Sequence, residues 1–127
     1  MADTAPTDIQ ISVETRYLPE QSSPEQEHFA FAYQITIENR GPQTAQLLNR
    51  HWIITDAEGR IQEVQGPGVI GEQPILKPGQ RFRYASGSVL PTPVGSMHGS
   101  YEWITEDGEK FDSPIPAFRL AVATVFH

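Results

Sequence analysis

Residues 66–79 read Gly-Pro-Gly-Val-Ile-Gly-Glu-Gln-Pro-Ile-Leu-Lys-Pro-Gly. The order of these residues decides whether the glycines begin a helix or lie in a loop between strands. The first six match the G-x-G-x-x-G spacing of dinucleotide-binding loops, whose glycines lead into a helix that binds pyrophosphate at its N-terminus. Here Pro74 and Pro78 follow, and a proline inside a helix costs about 3 kcal/mol. A helix of useful length therefore cannot begin at Gly71. We predict instead that the glycines lie in a loop between strands.

Outside this loop, apolar and polar residues alternate with a period of two, and no segment has a sustained helical period. The clearest stripe runs along 29–37, where every second residue is aromatic or Ile. Such alternation is typical of strands with one face in the core and one in water. A polar, proline-bounded segment at 18–26 is predicted to be a mobile loop. Strands are predicted at 9–17, 29–38, 44–55, 60–65, 81–90, around 97–103 and from 111 to 122.

These strands predict one domain over residues 1–127 with an all-β fold, an immunoglobulin/fibronectin type III-like antiparallel β-sandwich of about seven strands. In the third strand, alternation assigns Leu48, Arg50, Trp52 and Ile54 to one face and Leu47 to the other. The sequence from Leu76 to Gly79 resembles the corner before a late strand of fibronectin type III domains. Phe82 takes the position of its usual Tyr, so only the packing role of that residue is expected.

Composition and charge exclude several classes of function. The chain has no cysteine, which excludes disulfides and thiolate chemistry. Its net charge is −7, with the acids concentrated in 1–38 and 102–112, which argues against general nucleic-acid binding. No apolar run is long enough to cross a bilayer and no secretory signal is recognisable, so we predict a cytoplasmic protein without membrane insertion.

The glycine loop and its basic neighbours are the candidate site. The glycines could simply permit left-handed backbone and close chain approach. Alternatively, the loop N–H groups form a small anion nest, with cationic side chains two residues apart able to flank a phosphate. A third interpretation is a contact between the loop and a protein partner. The candidate binding residues are Gly66, Gly68, Gly71, Lys77, Arg81 and Arg83.

Other chemistry has weaker support in the sequence. No two of the four histidines have a spacing that sets two imidazoles on one face, and His51 and His98, on different strands, are ligands that could meet only through folding. The acidic run at 106–109 lacks the ligand order of an EF-hand. Ser86-Gly87-Ser88 lies within a strand and not at the strand-to-helix turn of a nucleophile elbow. We therefore predict no metal site, no cofactor and no catalytic residues.

The spacing of glycine, proline and aromatic residues resembles the signature of the ApaG family over nearly the whole chain. The resemblance implies a bacterial cytoplasmic protein with a fibronectin type III-like sandwich, linked genetically to cobalt resistance and magnesium efflux. It also implies a role in protein contacts, since the same domain occurs in an F-box protein and a DNA polymerase δ-interacting protein. The matching residues are Gly66, Gly68, Val69, Gly71, Pro74, Leu76, Pro78, Gly79, Phe82, Tyr84, Ser86, Gly87, Gly95, Met97, Gly99 and Tyr101.

Together these observations favour a non-enzymatic binding module that meets a protein partner at the glycine loop and its basic neighbours. The alternative is a sensor that binds phosphate or a pyrophosphate-containing nucleotide at the same place. The apolar end of the chain, Val125-Phe126-His127, is suited to pair with an exposed strand edge, which favours a weak homodimer.

Overall fold

The structure is a computed structural model that describes residues 7–122, and this part of the chain contains no α-helix. Two short 3-10 turns, Pro19–Gln21 and Pro24–Gln26, occupy the polar connection after the first strand. The predicted all-β fold is confirmed. The eight strands are β1 Ile9–Tyr17, β2 Phe29–Asn39, β3 Ala45–Asp56, β4 Ile61–Pro67, β5 Ile75–Leu76, β6 Arg81–Leu90, β7 Val94–Thr105 and β8 Lys110–Ala121.

The strands form two antiparallel sheets that pack face to face. One sheet has the order β1-β2-β6, and the other has the order β4-β3-β7-β8, with β5 paired to the start of β3. Aromatic side chains from both sheets meet between them, as Tyr33 of β2 contacts Trp52 of β3 with ring centroids 5.7 Å apart. Trp103 and Tyr101 of β7 are fully buried beside them. Within residues 7–122, no helix has the length and apolar character that a bilayer crossing requires.

A β-bulge in β3 corrects one part of the predicted pattern. Leu47 pairs with Trp103 and Asn49 pairs with Glu102, which leaves Leu48 as an extra residue. An extra residue reverses the alternation of faces along a strand. Leu47 therefore lies in the core, fully buried, together with Trp52, and the prediction that it faces away from Trp52 is wrong. The two-residue strand β5 was not predicted.

Polar side chains hold two of the connections in place. The carboxylate of Asp56 accepts the backbone N–H of Glu58 at 2.8 Å and that of Arg60 at 3.0 Å, and so fixes the predicted hairpin turn between β3 and β4. In the connection from β1 to β2, the Ser22 hydroxyl donates to the Leu18 carbonyl and accepts the Ala30 N–H, both at 2.8 Å. One half-buried hydroxyl thus ties this proline-bounded segment to β2.

The sandwich has one closed side and one open side. Strands β1 and β8 pack together on the closed side. On the other side lie β4 and β6, the edge strands of the two sheets in the described part of the chain. The strand register places the start of β1 and the end of β8 at opposite ends of the sandwich. Ile9 pairs with Asn39 at one end, and Ala121 pairs with Val94 at the other.

Candidate functional site

The glycine segment forms a tight turn at the end of β4. As predicted, it does not begin a helix. Val69 and Glu72 exchange backbone hydrogen bonds of 2.8 and 2.9 Å, which makes Ile70 and Gly71 the two central residues of a hairpin. Both have positive φ, 43° for Ile70 and 80° for Gly71, as a type I′ turn requires. The Gly68 N–H donates to the Leu48 carbonyl at 2.8 Å and anchors the turn to β3.

Two of the glycines lie in close contact with their neighbours. A Cβ at Gly68 would stand 2.3 Å from the Glu72 carbonyl oxygen, and the φ of Gly68 is +62°, so this position requires glycine. A Cβ at Gly66 would stand 3.1 Å from the guanidinium of Arg50, the end of a flexible side chain that would have to move by a few tenths of an ångström. Gly71 has open space around it and needs only its positive φ.

Arg50 is the side chain that organises the turn. It lies on the inner face of β3, where its Nη1 donates to the carbonyls of Pro67 at 3.0 Å and Gly68 at 3.1 Å. The turn therefore presents carbonyl oxygens to a cation. In the described part of the chain, the backbone N–H groups of Ile70 and Gly71 have no hydrogen-bond acceptor.

The three predicted basic residues lie outside the sandwich. Arg81 and Arg83 are exposed on the outer face of the three-stranded sheet, where Arg81 Nε is 3.7 Å from a Glu38 carboxylate oxygen and Arg83 Nε donates to the Thr36 hydroxyl at 3.3 Å. Lys77 is exposed in the turn that leads into β6. No hydrogen bond or ion pair among residues 7–122 joins these three side chains to the glycine turn. Their binding role stays a prediction.

A cleft of about 460 Å³ opens between the edge strands β4 and β6. On the β6 side its lining includes the small residues Ser86 and Ser88, and on the β4 side it is lined by Gln62 and Val64. The lining residues come from both sheets and from the glycine turn: Tyr33, Arg50, Trp52, Ile54, Gln62, Val64, Val69, Ile70, Tyr84, Ser86, Gly87, Ser88, Val89 and Met97.

Three tyrosine hydroxyls and Arg50 form a polar cluster beside this cleft. Tyr84 and Tyr101 share a buried hydrogen bond. Burial is the main reason why the pKa values of Tyr33, Tyr84 and Tyr101 are raised. The positive charge of Arg50 lowers all three pKa values in part, because the guanidinium lies near all three hydroxyls. The cluster is therefore a set of neutral phenols with one cation.

The structure also shows the positions of the residues that we considered and rejected as metal ligands or catalytic groups. His51 and His98 both lie on the outer face of the β4-β3-β7-β8 sheet, and His51 Nε2 is hydrogen-bonded to the Glu63 carboxylate at 2.5 Å. Among residues 7–122, no three His, Asp or Glu side chains converge as a metal site would require. Ser86 to Ser88 lie within β6, as predicted. The candidate dimer segment Val125–His127 lies outside the described residues.

The comparisons with known proteins agree on one family. The model of the ApaG domain matches residues 19–105. The chain belongs to the ApaG family. The Protein ApaG of Acidithiobacillus ferrooxidans is 80% identical over 127 residues, and that of Pseudomonas paraeruginosa is 60% identical over 127 residues, with both chains fully covered in each case.

Solved structures of the family have the same fold. The crystal structure of the ApaA protein from Bordetella pertussis is 51% identical, with a TM-score of 0.91 over 94% of this chain and 98% of that chain. A second solved structure is 50% identical, with a TM-score of 0.88 over 94% of this chain and 90% of that one. At these identities the likeness supports the family assignment as well as the fold, and it confirms the resemblance in the spacing of glycines and prolines.

Sequence reasoning missed Arg50 as the central residue of this region. The signal was present, because alternation assigns Arg50 to the same face as Trp52 and Ile54. A cation predicted on a core-facing position needs a polar partner or access to water. The structure provides both for Arg50. The carbonyls of the glycine turn accept hydrogen bonds from its guanidinium, and the sandwich is open beside it.

Proposed function

We propose that this protein is a non-enzymatic binding module that recognises an acidic, extended segment of a protein partner along strand β6. The observation that carries the proposal is the pair Arg81 and Arg83, two exposed cations on an edge strand of an otherwise acidic protein. An edge strand offers backbone groups to which a partner strand can add. The cations then select partners by charge.

The surroundings of Arg81 leave a surplus of positive charge. Among residues 7–122, Glu38 is the one carboxylate in contact with Arg81, and it is shared with Arg40, whose Nε lies 3.1 Å from the other Glu38 oxygen. In the same part of the chain, the side chain of Arg83 has only the neutral Thr36 hydroxyl as partner. Two arginines therefore share one acid beside a third arginine without one, and exposed pairs of this kind bind their own partners weakly. An incoming carboxylate can compete for them.

Co-purification from the cytoplasm of the source bacterium tests the proposal. Arg81→Ala/Arg83→Ala is compared with Lys110→Ala/Arg119→Ala, which removes the same charge from β8. We expect a partner that the wild type and the β8 variant retain, that the β6 variant loses, and that added salt releases. Equal recovery of every partner by the two double variants would contradict the proposal.

A second candidate function rests on the two free N–H groups of Ile70 and Gly71. Together with Lys77 they support binding of phosphate or of a pyrophosphate-containing nucleotide at the outside of the glycine turn. Isothermal titration with pyrophosphate is the direct measurement. Absence of heat at millimolar ligand removes this candidate and leaves the β6 proposal intact.

We further propose that the module acts in the cytoplasm and in divalent-cation efflux, as the family resemblance implies. A strain that lacks the gene is grown in cobalt and complemented either with the wild type or with Arg81→Ala/Arg83→Ala. We expect the wild type alone to restore tolerance. Full rescue by the β6 variant would separate the cation phenotype from the β6 surface.

A further inference from the structure

The cleft between β4 and β6 has the chemistry of a ligand site that is independent of the β6 outer face. Its volume of about 460 Å³ falls in the range of pockets that hold small organic molecules. Its base consists of buried aromatic and apolar side chains from both sheets, Tyr33, Trp52 and Met97. Its rim is exposed, at Ser86 on β6 and Gln62 on β4. An apolar base under a polar, accessible rim is typical of a binding site.

The charge in this cleft is not balanced by the protein itself. Arg50 forms no ion pair among the described residues, and none of the described residues that line the cleft is acidic. Nη1 is committed to the carbonyls of Pro67 and Gly68, while Nε and Nη2 have no acceptor in the described part of the chain. A guanidinium that is half-buried and held in one position, with donors left over, favours a bound anion.

The residues around Arg50 add neutral donors and no competing acid. Tyr33 and Tyr84 place their hydroxyls near the guanidinium and stay protonated, since burial raises the pKa of each above that of free tyrosine. Ser86 adds a hydroxyl from β6. Neutral hydroxyls can donate to an anion that has also paired with the cation. No carboxylate that would pair with a cationic ligand stands among the described residues of the lining.

We propose that the cleft between β4 and β6 binds a small organic anion whose carboxylate or phosphate group pairs with Arg50 and whose apolar body packs against Trp52 and Tyr33. Ile70 of the glycine turn stands at the entrance, 55% exposed although it is apolar. A ligand in the cleft would cover part of that side chain. The glycine turn then serves this site by holding Arg50 over Gly66, and not by binding the anion with its own N–H groups.

The two tryptophans of the chain serve as a probe of the cleft and an internal control. Trp52 lines the cleft, while the indole N–H of Trp103 donates to the buried Ser113 hydroxyl at 2.9 Å, away from it. We titrate benzoate and phenyl phosphate and follow both indole N–H signals by NMR. We expect the Trp52 signal to shift and the Trp103 signal to stay. Benzyl alcohol supplies the same body without the charge, and we expect it to bind at least about tenfold more weakly.

Variants separate the parts of the site. Arg50→Gln should weaken benzoate binding at least about tenfold, the loss that accompanies removal of a charged hydrogen bond. Because Arg50 also holds the turn, a second variant is needed that keeps this cation. Ser86→Leu fills the cleft without removing Arg50, and it should abolish the shift of the Trp52 signal. Arg119→Gln, at an exposed arginine of β8, is the control for loss of charge and should bind as the wild type does.

Four outcomes overturn the proposal. The first is an unchanged Trp52 signal with both anions at millimolar concentration. The second is equal binding of benzyl alcohol, and the third is undiminished binding by Ser86→Leu. A pyrophosphate response at the amides of Ile70 and Gly71 without any change at Trp52 would assign the anion to the outside of the turn and also overturn it.

Discussion

The hydroxyl groups of Tyr84 on β6 and Tyr101 on β7 lie 2.5 Å apart and form a buried hydrogen bond between the two sheets. The bond lies beside the open cleft, where the sheets are not joined by their edge strands. Tyr101 is 0% exposed, so its hydroxyl has no access to water. The pair therefore fastens the sandwich at the side that β1 and β8 do not close.

Removal of both hydroxyls should cost less than the two single removals added together. Tyr84→Phe leaves the Tyr101 hydroxyl buried without its partner, and an unsatisfied buried group costs about 1–3 kcal/mol. We expect Tyr101→Phe to be similar and the double variant Tyr84→Phe/Tyr101→Phe to lose less than the sum of the two. A double-mutant cycle from urea denaturation measures this coupling. Strict additivity would show that the two hydroxyls do not interact.

The same pair should make the protein sensitive to alkali. The folded-state pKa values of Tyr84 and Tyr101 are raised above the usual value, mainly by burial. Such groups contribute stability that is fully present below about pH 10, the pKa of unfolded tyrosine, and that is lost as the pH rises further. The free energy of unfolding should therefore fall above about pH 10, by up to about 1.4 kcal/mol per pH unit for each tyrosine.

Replacement of both residues by Phe removes two tyrosines that can ionise in the unfolded chain near pH 10 but stay neutral in the folded protein, so the alkaline loss should become shallower. The measurement is the urea midpoint from neutral pH to the alkaline range for the wild type and for Tyr84→Phe/Tyr101→Phe. Identical pH profiles for the two proteins would contradict the assignment of the alkaline loss to this pair.

The glycines of the turn should differ in cost when they are replaced by alanine. Gly71→Ala should destabilise by about 1–2 kcal/mol, because its positive φ is unfavourable for alanine and nothing else is in the way. Gly68→Ala should cost clearly more, since its Cβ must also displace the Glu72 carbonyl. Urea denaturation of the two variants gives the comparison. Equal costs would mean that the turn relaxes around Gly68, and the steric account of this glycine would fail.

Ile70 offers a stabilising substitution. A β-branched residue at a φ of 43° is strained, and Ile70 buries little apolar surface in return. Asn tolerates this conformation, and Asn-Gly is the preferred pair for a type I′ turn. We expect Ile70→Asn to raise the free energy of unfolding by about 1 kcal/mol. The control is Ile75→Asn, at an equally exposed apolar residue in β5, which should give no gain.

Most of the sandwich could be predicted from the sequence because its strands alternate cleanly. The stripe of β2 and the bounds of β6 follow directly from period-two patterns, and the two prolines after Gly71 exclude the helix that the G-x-G-x-x-G spacing suggests. The bulge at Leu48 could not be predicted, since one extra residue has no signature in composition. Strand β5 has only two residues and no period at all.

The candidate site was less accessible to sequence reasoning because it depends on which strands become edges. The loop conformation was predicted, but the cleft arises only once β4 and β6 lie opposite each other with small residues facing inward. Arg81 and Arg83 alternate with inward-facing residues, which predicts their exposure but not the contact between Arg81 and Glu38. Contacts between residues of different sheets cannot be predicted until the order of the strands in each sheet is known.

The placement of Ile9 and Ala121 at opposite ends of the sandwich has a mechanical consequence. Tension applied at these two residues would act along the axes of β1 and β8, parallel to the strands. Antiparallel ladder bonds run perpendicular to the strands. The nine residue pairs between β1 and β2 would therefore bear the load in shear, all at once, and not unzip one after another from an end. A domain loaded in this way resists a pull along its length with all nine of these pairs together.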